Sequence, residues 1–438
     1  MSSEHFEKYK VVLEQNDRGS YTVPAGDLYP HQWLWDSCFI AIGLRHLDVD
    51  RAMVELESLV KGQWANGMLP NIIFSNNRQH RREHNLWQSW LSPHAPNGLI
   101  TSGVTQPPML AEAVVRVGQK LKMPDRRGWY KKMYPHLVKY HLWMYRERDL
   151  FGEGLISLVH PYESGTDNSP PWIVEVRRHA WPWWLNLIEW LKLDRLVNLV
   201  RRDTRRLPPG QRISNIEAIA YWALLRRLRS KAYDSKDILL NRPQIAIEDL
   251  IFNSIFIRAN KHLRAIADVI GEPIPADITA KMEKTETALE LLWDEKDGCY
   301  YSCSLVGRDL IREPTIASLL PLYSGCISED RAKHLVGSLK KRRQFKSSFP
   351  VPSVPLNSSY FNDLEYWQGP SWVNMNWLII DGLRRYGFDE EAEKLKTQTI
   401  EMVKNKGCYE YFSPLTGEPA GAANFSWTAA LTIDLLSS

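Results

Sequence analysis

Apolar residues recur along this chain at the three-and-four spacing of helices, segment after segment. The pattern predicts helices over 39–45 and 49–64, the second with Met53, Leu56, Leu59 and Val60 on one face. It continues over 109–120, 130–148, 217–229 and 247–270. Further segments at 280–293, 315–323, 329–339, 370–386, 390–402 and 426–436 bring the set to about a dozen. Strand-like alternation is scarce, and 68–74 and 300–304 are the two stretches that suggest short hairpin segments.

The connections between these helices are of two kinds. Some are short and charged, as at 45–50 and 386–390; the others are long and rich in Trp, Tyr, Asn, Gly and Pro. In a toroid of helical hairpins the long connections gather on one rim, and binding groups are displayed there. No shift of composition marks a linker. The expectation is a single all-α domain over 1–438, an (α/α)6 toroid with its site at the aromatic rim and a lid-like insertion around 173–212.

Composition narrows the function. A chain of 438 residues, 44% hydrophobic and 24% charged, buries a large core, and a net charge of +4 does not argue for a nucleic-acid partner. Five scattered cysteines, with no Cys-x-x-Cys pair, read as reduced thiols without a zinc site. No apolar run is long enough to span a membrane, and the first ten residues have no apolar core of a signal peptide, so a cytoplasmic protein is expected. The 18 tryptophans and 18 tyrosines stand out: flat rings suit sugar faces as well as cores.

The candidate chemistry is concentrated in two stretches. His160 to Trp172 carries Glu163 and Asp167 in a segment expected to be irregular, with Gly165 for backbone freedom and Pro170 and Pro171 against helix continuation. Near the other end, Glu410 sits among Tyr409, Tyr411 and Phe412. Two acids in aromatic segments at opposite ends of the chain suggest a carboxylate pair across a pocket. Trp33, Trp35 and Asp36 precede the first strong helix; they read either as core and cap or as a sugar-binding wall. Gln106, the run Tyr366-Trp367-Gln368, Trp372 and Trp427 lie in similar polar-aromatic segments.

Taken together, these motifs resemble glycoside hydrolase family 63, in its branch of mannosylglycerate and glucosylglycerate hydrolases. The resemblance runs over most of the chain, from about residue 29 to residue 436, and rests on six motifs in order. It implies an (α/α)6 toroid, inversion at the anomeric carbon, no metal and no cofactor. It implies Asp167 as general acid and Glu410 as general base, with Tyr29, Trp35, Asp36, Gln106, Tyr366, Trp367 and Trp372 around the sugar. The residues leave Glu163 as an alternative acid, and Glu365 or Glu418 as an alternative base.

The expected substrate is a small sugar-acid glycoside, with a short neutral oligosaccharide as the alternative. A non-catalytic carbohydrate-binding protein is the reading from another class. Terpenoid cyclases share helical toroids, but this chain has none of the Asp-Asp pairs their chemistry uses. Residues 181–193 are strongly aromatic, too short to span a bilayer, and are read as a lid or a contact between copies of the chain. Arg201, Arg202, Arg205, Arg206 and Arg212 follow, and Arg201 or Arg202 is expected to hold a carboxylate on the leaving group.

Overall fold

Six helices stand side by side in a closed ring: Leu34–Leu44, Leu110–Gly118, Leu250–Ile270, Pro321–Ser324, Val373–Arg385 and Ser426–Ser437. Each packs on the next, and the last packs on the first. This computed structural model describes residues 6–26, 28–76, 81–199, 201, 203–241 and 243–438. Outside the ring lie Val49–Lys61, Met123–Glu147, Ala276–Ala288, Glu329–Lys340, Asp389–Lys406 and Glu7–Asn16, each against one or two inner helices. The architecture is the (α/α)6 toroid.

Sequence decides which helix is inner and which is outer. All eleven residues of Leu34–Leu44 are buried, as is Ser426–Ser437 as far as Leu435. A helix with neighbours on every side must be apolar or small all round. Val49–Lys61 instead buries one stripe, Ala52, Glu55, Leu56, Ser58 and Leu59, and leaves the rest outside. Helix starts are fixed by local caps. Asp48, Asp249 and Ser328 accept hydrogen bonds from the backbone N–H groups of Arg51, Phe252 and Arg331.

The structure corrects several of the predicted segments. The first inner helix begins at Leu34, so Trp35 and Asp36 lie in its first turn. The segment predicted over 247–270 divides at Asp249. Ile247–Glu248 joins a four-stranded sheet with Ser157–Leu158, Cys303–Ser304 and Asp309–Leu310, and the helix follows. The helices Glu7–Asn16, Pro170–His179, Trp183–Trp190 and Ser235–Leu240 were not expected. Pro170 and Pro171 open a helix rather than prevent one, because the first helical turn needs no backbone N–H partner. Of 68–74 only Ile72–Ile73 pairs, with Gln32–Trp33, which anchors the strand leading into the first inner helix.

A largely buried ion-pair network joins five of the inner helices and the residues that follow the first. Arg116 pairs with Glu112 on its own helix and with Asp381 at 2.7 Å. Glu112 also meets His262 at 2.5 Å and accepts from the Tyr323 hydroxyl at 2.9 Å. Arg45, just past the first inner helix, donates to the Arg116 carbonyl and to Asp434, and His46 lies 2.8 Å from Asp434. Burial pushes Glu112 and Asp434 upward, but His262 and Arg116 on one side, and His46 and Arg45 on the other, hold both well below the usual carboxylate range.

Among the described residues, no helix is long and apolar enough to cross a membrane. The segment from Trp183 to Leu199 buries Leu185 but exposes Trp183 (78%) and Trp190 (77%), an apolar surface beside the rim.

Candidate active site

The first turns of the inner helices and the segments leading into them meet at the rim. Asp167 sits between a one-turn helix, Pro161–Glu163, and the helix Pro170–His179. Its loop is held at several points. Gly165 has φ +73° and lies under Trp35, where an added Cβ would stand 2.6 Å from the indole. The Asp167 carbonyl accepts from the Tyr221 hydroxyl at 2.7 Å, and Asn168 Oδ1 accepts from the Trp367 N–H at 3.1 Å. The Asp167 side chain is half-buried. Burial pushes its pKa up to about 7; the positive charge of Arg212 opposes the rise, and the negative charge of Glu410 adds to it.

Glu410 lies on a strand rather than in a loop. Tyr409–Phe412 pairs with Pro419–Ala423, with a register shift between Ala420 and Ala423. Gly421, at φ +72°, makes room for the acid, since a Cβ there would stand 2.5 Å from Glu410 Oε2. The buried carboxylate accepts four hydrogen bonds. Arg212 Nη1 and Tyr29 Oη donate to Oε1 at 3.0 and 2.8 Å; Arg212 Nη2 and the Ala422 N–H donate to Oε2 at 2.5 and 3.0 Å. The guanidinium lies against the rings of Tyr29 and Tyr366, 5.2 and 4.8 Å from their centroids.

Asp36 completes a group of three carboxyls. Burial pushes its pKa well above the usual value, and the charges of Glu410 and Asp167 push in the same direction. The wall beside it is aromatic. Trp35 meets Trp427 edge-on at 5.5 Å and Trp367 at 6.5 Å, and Trp367 stacks on Trp372 at 3.7 Å. Gln106 Oε1 accepts from the Trp35 N–H at 3.4 Å.

The structure therefore gathers Asp167, Glu410, Asp36, Tyr29, Trp35, Gln106, Tyr366, Trp367, Trp372 and Trp427 around one region. Trp33 stands behind Tyr29, ring to ring at 5.7 Å, and Gln368 faces Glu365 at 3.5 Å. Glu163 is turned inward. Its carboxylate is fully buried, bound by Arg148 at 2.7 and 3.0 Å and by the Val159 N–H at 2.7 Å. Glu418 pairs at the surface with Lys406. Arg201 pairs with Asp203 at 2.5 Å and donates to Asn215 at 3.2 Å, while Arg202 lies outside the described residues. At Arg212 opens a cavity of about 370 Å³, lined also by Asp203, Thr204, Pro209, Asn215 and Glu365 but by none of Asp36, Asp167 and Glu410.

Sequence reasoning did not single out Arg212, Tyr221, Asn168 or Arg148. Arg212 was one of five arginines in a run, and only its place opposite Glu410 distinguishes it. Among the described residues, no three His, Cys, Asp or Glu side chains are grouped to hold a metal ion.

Known proteins share this arrangement of chain and fold. Residues 29–428 match the family model for the mannosylglycerate hydrolase MGH1-like glycoside hydrolase domain. A mannosylglycerate hydrolase of Thermus thermophilus is 37% identical over 425 residues, covering 96% of this chain and 98% of its own. A glucosylglycerate hydrolase of Mycolicibacterium hassiacum is 32% identical over 440 residues, covering 97% and 96%. The crystal structure of a family 63 mannosylglycerate hydrolase from Thermus thermophilus, in complex with Tris and D-glycerate, superposes with a TM-score of 0.88 at 35% identity. That match covers 99% of this chain and all of the other.

Proposed function

The chain belongs to the MGH1-like family of glycoside hydrolases, and from that premise we propose that it hydrolyses the α-glycosidic bond of 2-O-α-mannosyl- or glucosyl-glycerate with inversion. The observation that carries this reading is the gathering in one site of Asp167, on a loop held by Tyr221 and Trp367, and of Glu410, ion-paired with Arg212. Asp167, pushed up to about 7, keeps a proton to give to the glycosidic oxygen. Glu410 accepts a proton from the water that attacks the opposite face of the sugar. In inverting enzymes the two carboxyls stand roughly 6.5–9.5 Å apart, so that this water fits between them. Asp36 and the indoles of Trp35, Trp367 and Trp427 bind the hexose, the acid through hydroxyls and the rings through its apolar face.

Arg212 supports a charged leaving group. It is a buried guanidinium beside the acids and lines the cavity, and its planar fork fits a carboxylate. Arg201, engaged by Asp203, stands one step behind it. The stretch 173–212 then forms the leaving-group side of the pocket and acts as its lid.

The test is turnover of mannosylglycerate, glucosylglycerate and a neutral α-glucobiose by purified protein. Hydrolysis of either glycosylglycerate in preference to the disaccharide is expected. Preference for the disaccharide would replace this reading with a neutral-oligosaccharide α-glucosidase.

A further inference from the structure

Glu410 has no acceptor left for a water molecule while Arg212 holds it. A carboxylate offers about four lone-pair positions. Here they are taken by two guanidinium N–H groups, the Tyr29 hydroxyl and the Ala422 N–H. A general base must accept a proton from water along one of these directions, so one donor has to leave before hydrolysis.

The candidates for departure differ in how they are fixed. Ala422 belongs to the strand paired with that of Glu410. The Tyr29 ring is packed edge-on against Trp33 and Phe425. Arg212 comes from a stretch without regular structure, just before the helix Asn215–Ser230, and borders the cavity. It is also incompletely satisfied: the side chain is about nine-tenths buried, yet its Nε–H has no acceptor. A buried donor without a partner is costly and favours an incoming acceptor.

We propose that Arg212 is a clamp on the base and that the substrate's own carboxylate releases it. This rests on the reading above that the leaving group is an anion. A carboxylate entering from the cavity docks along the free Nε–H edge and draws the fork away from Glu410. Arg212 exchanges one carboxylate partner for another, and Glu410 keeps the Tyr29 hydroxyl and the Ala422 N–H as donors while it loses its counter-ion, which makes it a stronger base. The freed lone pair then faces the attacking water. A neutral glycoside lacks the group that opens the clamp, and it loses turnover as well as affinity.

The experiment uses α-mannosyl fluoride and α-glucosyl fluoride, whose small leaving group leaves the aglycone side vacant. Hydrolysis is measured without and with D-glycerate, at concentrations where D-glycerate competes with glycosylglycerate for the enzyme. D-glycerate is expected to raise kcat for the preferred fluoride by about tenfold or more, the size of one charged hydrogen bond. In Arg212→Ala that response should vanish. Unchanged or slower fluoride hydrolysis in the presence of D-glycerate would overturn the proposal. So would absence of fluoride turnover in both conditions by an enzyme that cleaves glycosylglycerate. An enzyme that cleaves no glycosylglycerate at all would instead refute the substrate reading on which the proposal rests.

Discussion

Arg148 grips both carboxylate oxygens of Glu163, at 2.7 and 3.0 Å, four residues before the catalytic candidate Asp167. Glu163 thus supports the acid loop from behind. Replacing it by Gln leaves Arg148 buried without a counter-charge, which costs about 3–5 kcal/mol. Chemical denaturation of Glu163→Gln should show a loss of this size, while the folded fraction keeps the wild-type pH–rate profile. A displaced profile would return Glu163 to the role of acid.

Asp167→Asn and Glu410→Gln should each lower kcat by roughly 10²–10⁴ with the fold retained, the usual contribution of a general acid or base. An acid must carry its proton to act. With the Asp167 pKa at about 7, wild-type kcat/KM should fall as pH rises past that value. The raised pKa also bears on stability. The neutral acid is tolerated at low pH, and a cost accumulates from the ordinary value of 3.8 up to about 7, because over that range the unfolded chain's carboxyl gives up its proton while the folded one keeps it. The melting temperature of Asp167→Asn should therefore gain on that of the wild type between pH 4 and pH 8.

Inversion has a direct signature. Proton NMR of freshly started hydrolysis of the α-glycoside should show the β-anomer of the sugar first. An initial α-anomer would mean a retaining enzyme, with Glu410 in a different role.

Gly165→Ala tests the loop against the wall. The new methyl would meet the Trp35 indole at 2.6 Å, in a backbone conformation that costs a side chain about 1–3 kcal/mol by itself. Both stability and kcat/KM should drop, because Trp35 and Asp167 cannot both keep their places.

Arg212→Ala should lower kcat/KM for a glycosylglycerate by about ten- to a hundredfold, as loss of a charged hydrogen bond does. Arg201→Ala, which removes a partner of Asp203 and Asn215, should cost less on the same substrate. The reverse order would make Arg201 the group that holds the anion.

The inner ring was legible because helices enclosed on all sides need long apolar runs, and 250–270 or 426–435 can hardly be anything else. Glu7–Asn16 escaped notice because it touches the ring along one narrow stripe, Tyr9, Val12, Leu13 and Asn16, among Glu and Lys. Pro170–Pro171 misled because proline stops a helix from within but starts one at its first turn. Asp167 and Glu410 were preferred on the resemblance to family 63, while their surroundings in sequence left Glu163, Glu365 and Glu418 open. Glu163 and Arg212 could not be ranked, because one burial in the core and one approach across 198 residues decide their roles. Spacing along the chain carries neither fact.

The ring's last helix, Ser426–Ser437, lies between the first and fifth inner helices, and this sets the order of events during synthesis. The fully buried Leu34–Leu44 leaves the ribosome early, but the helix that covers one of its sides is made last. Trp427 and Glu410 arrive with that same final stretch, so Trp35 waits for its neighbour and Arg212 for its counter-ion until translation is nearly complete. A nascent chain of this kind does not finish folding piece by piece from its N-terminus; it closes once, at the end. Chains that stop short of the last helix should emerge sticky and inert, a natural load for chaperones rather than a smaller working enzyme.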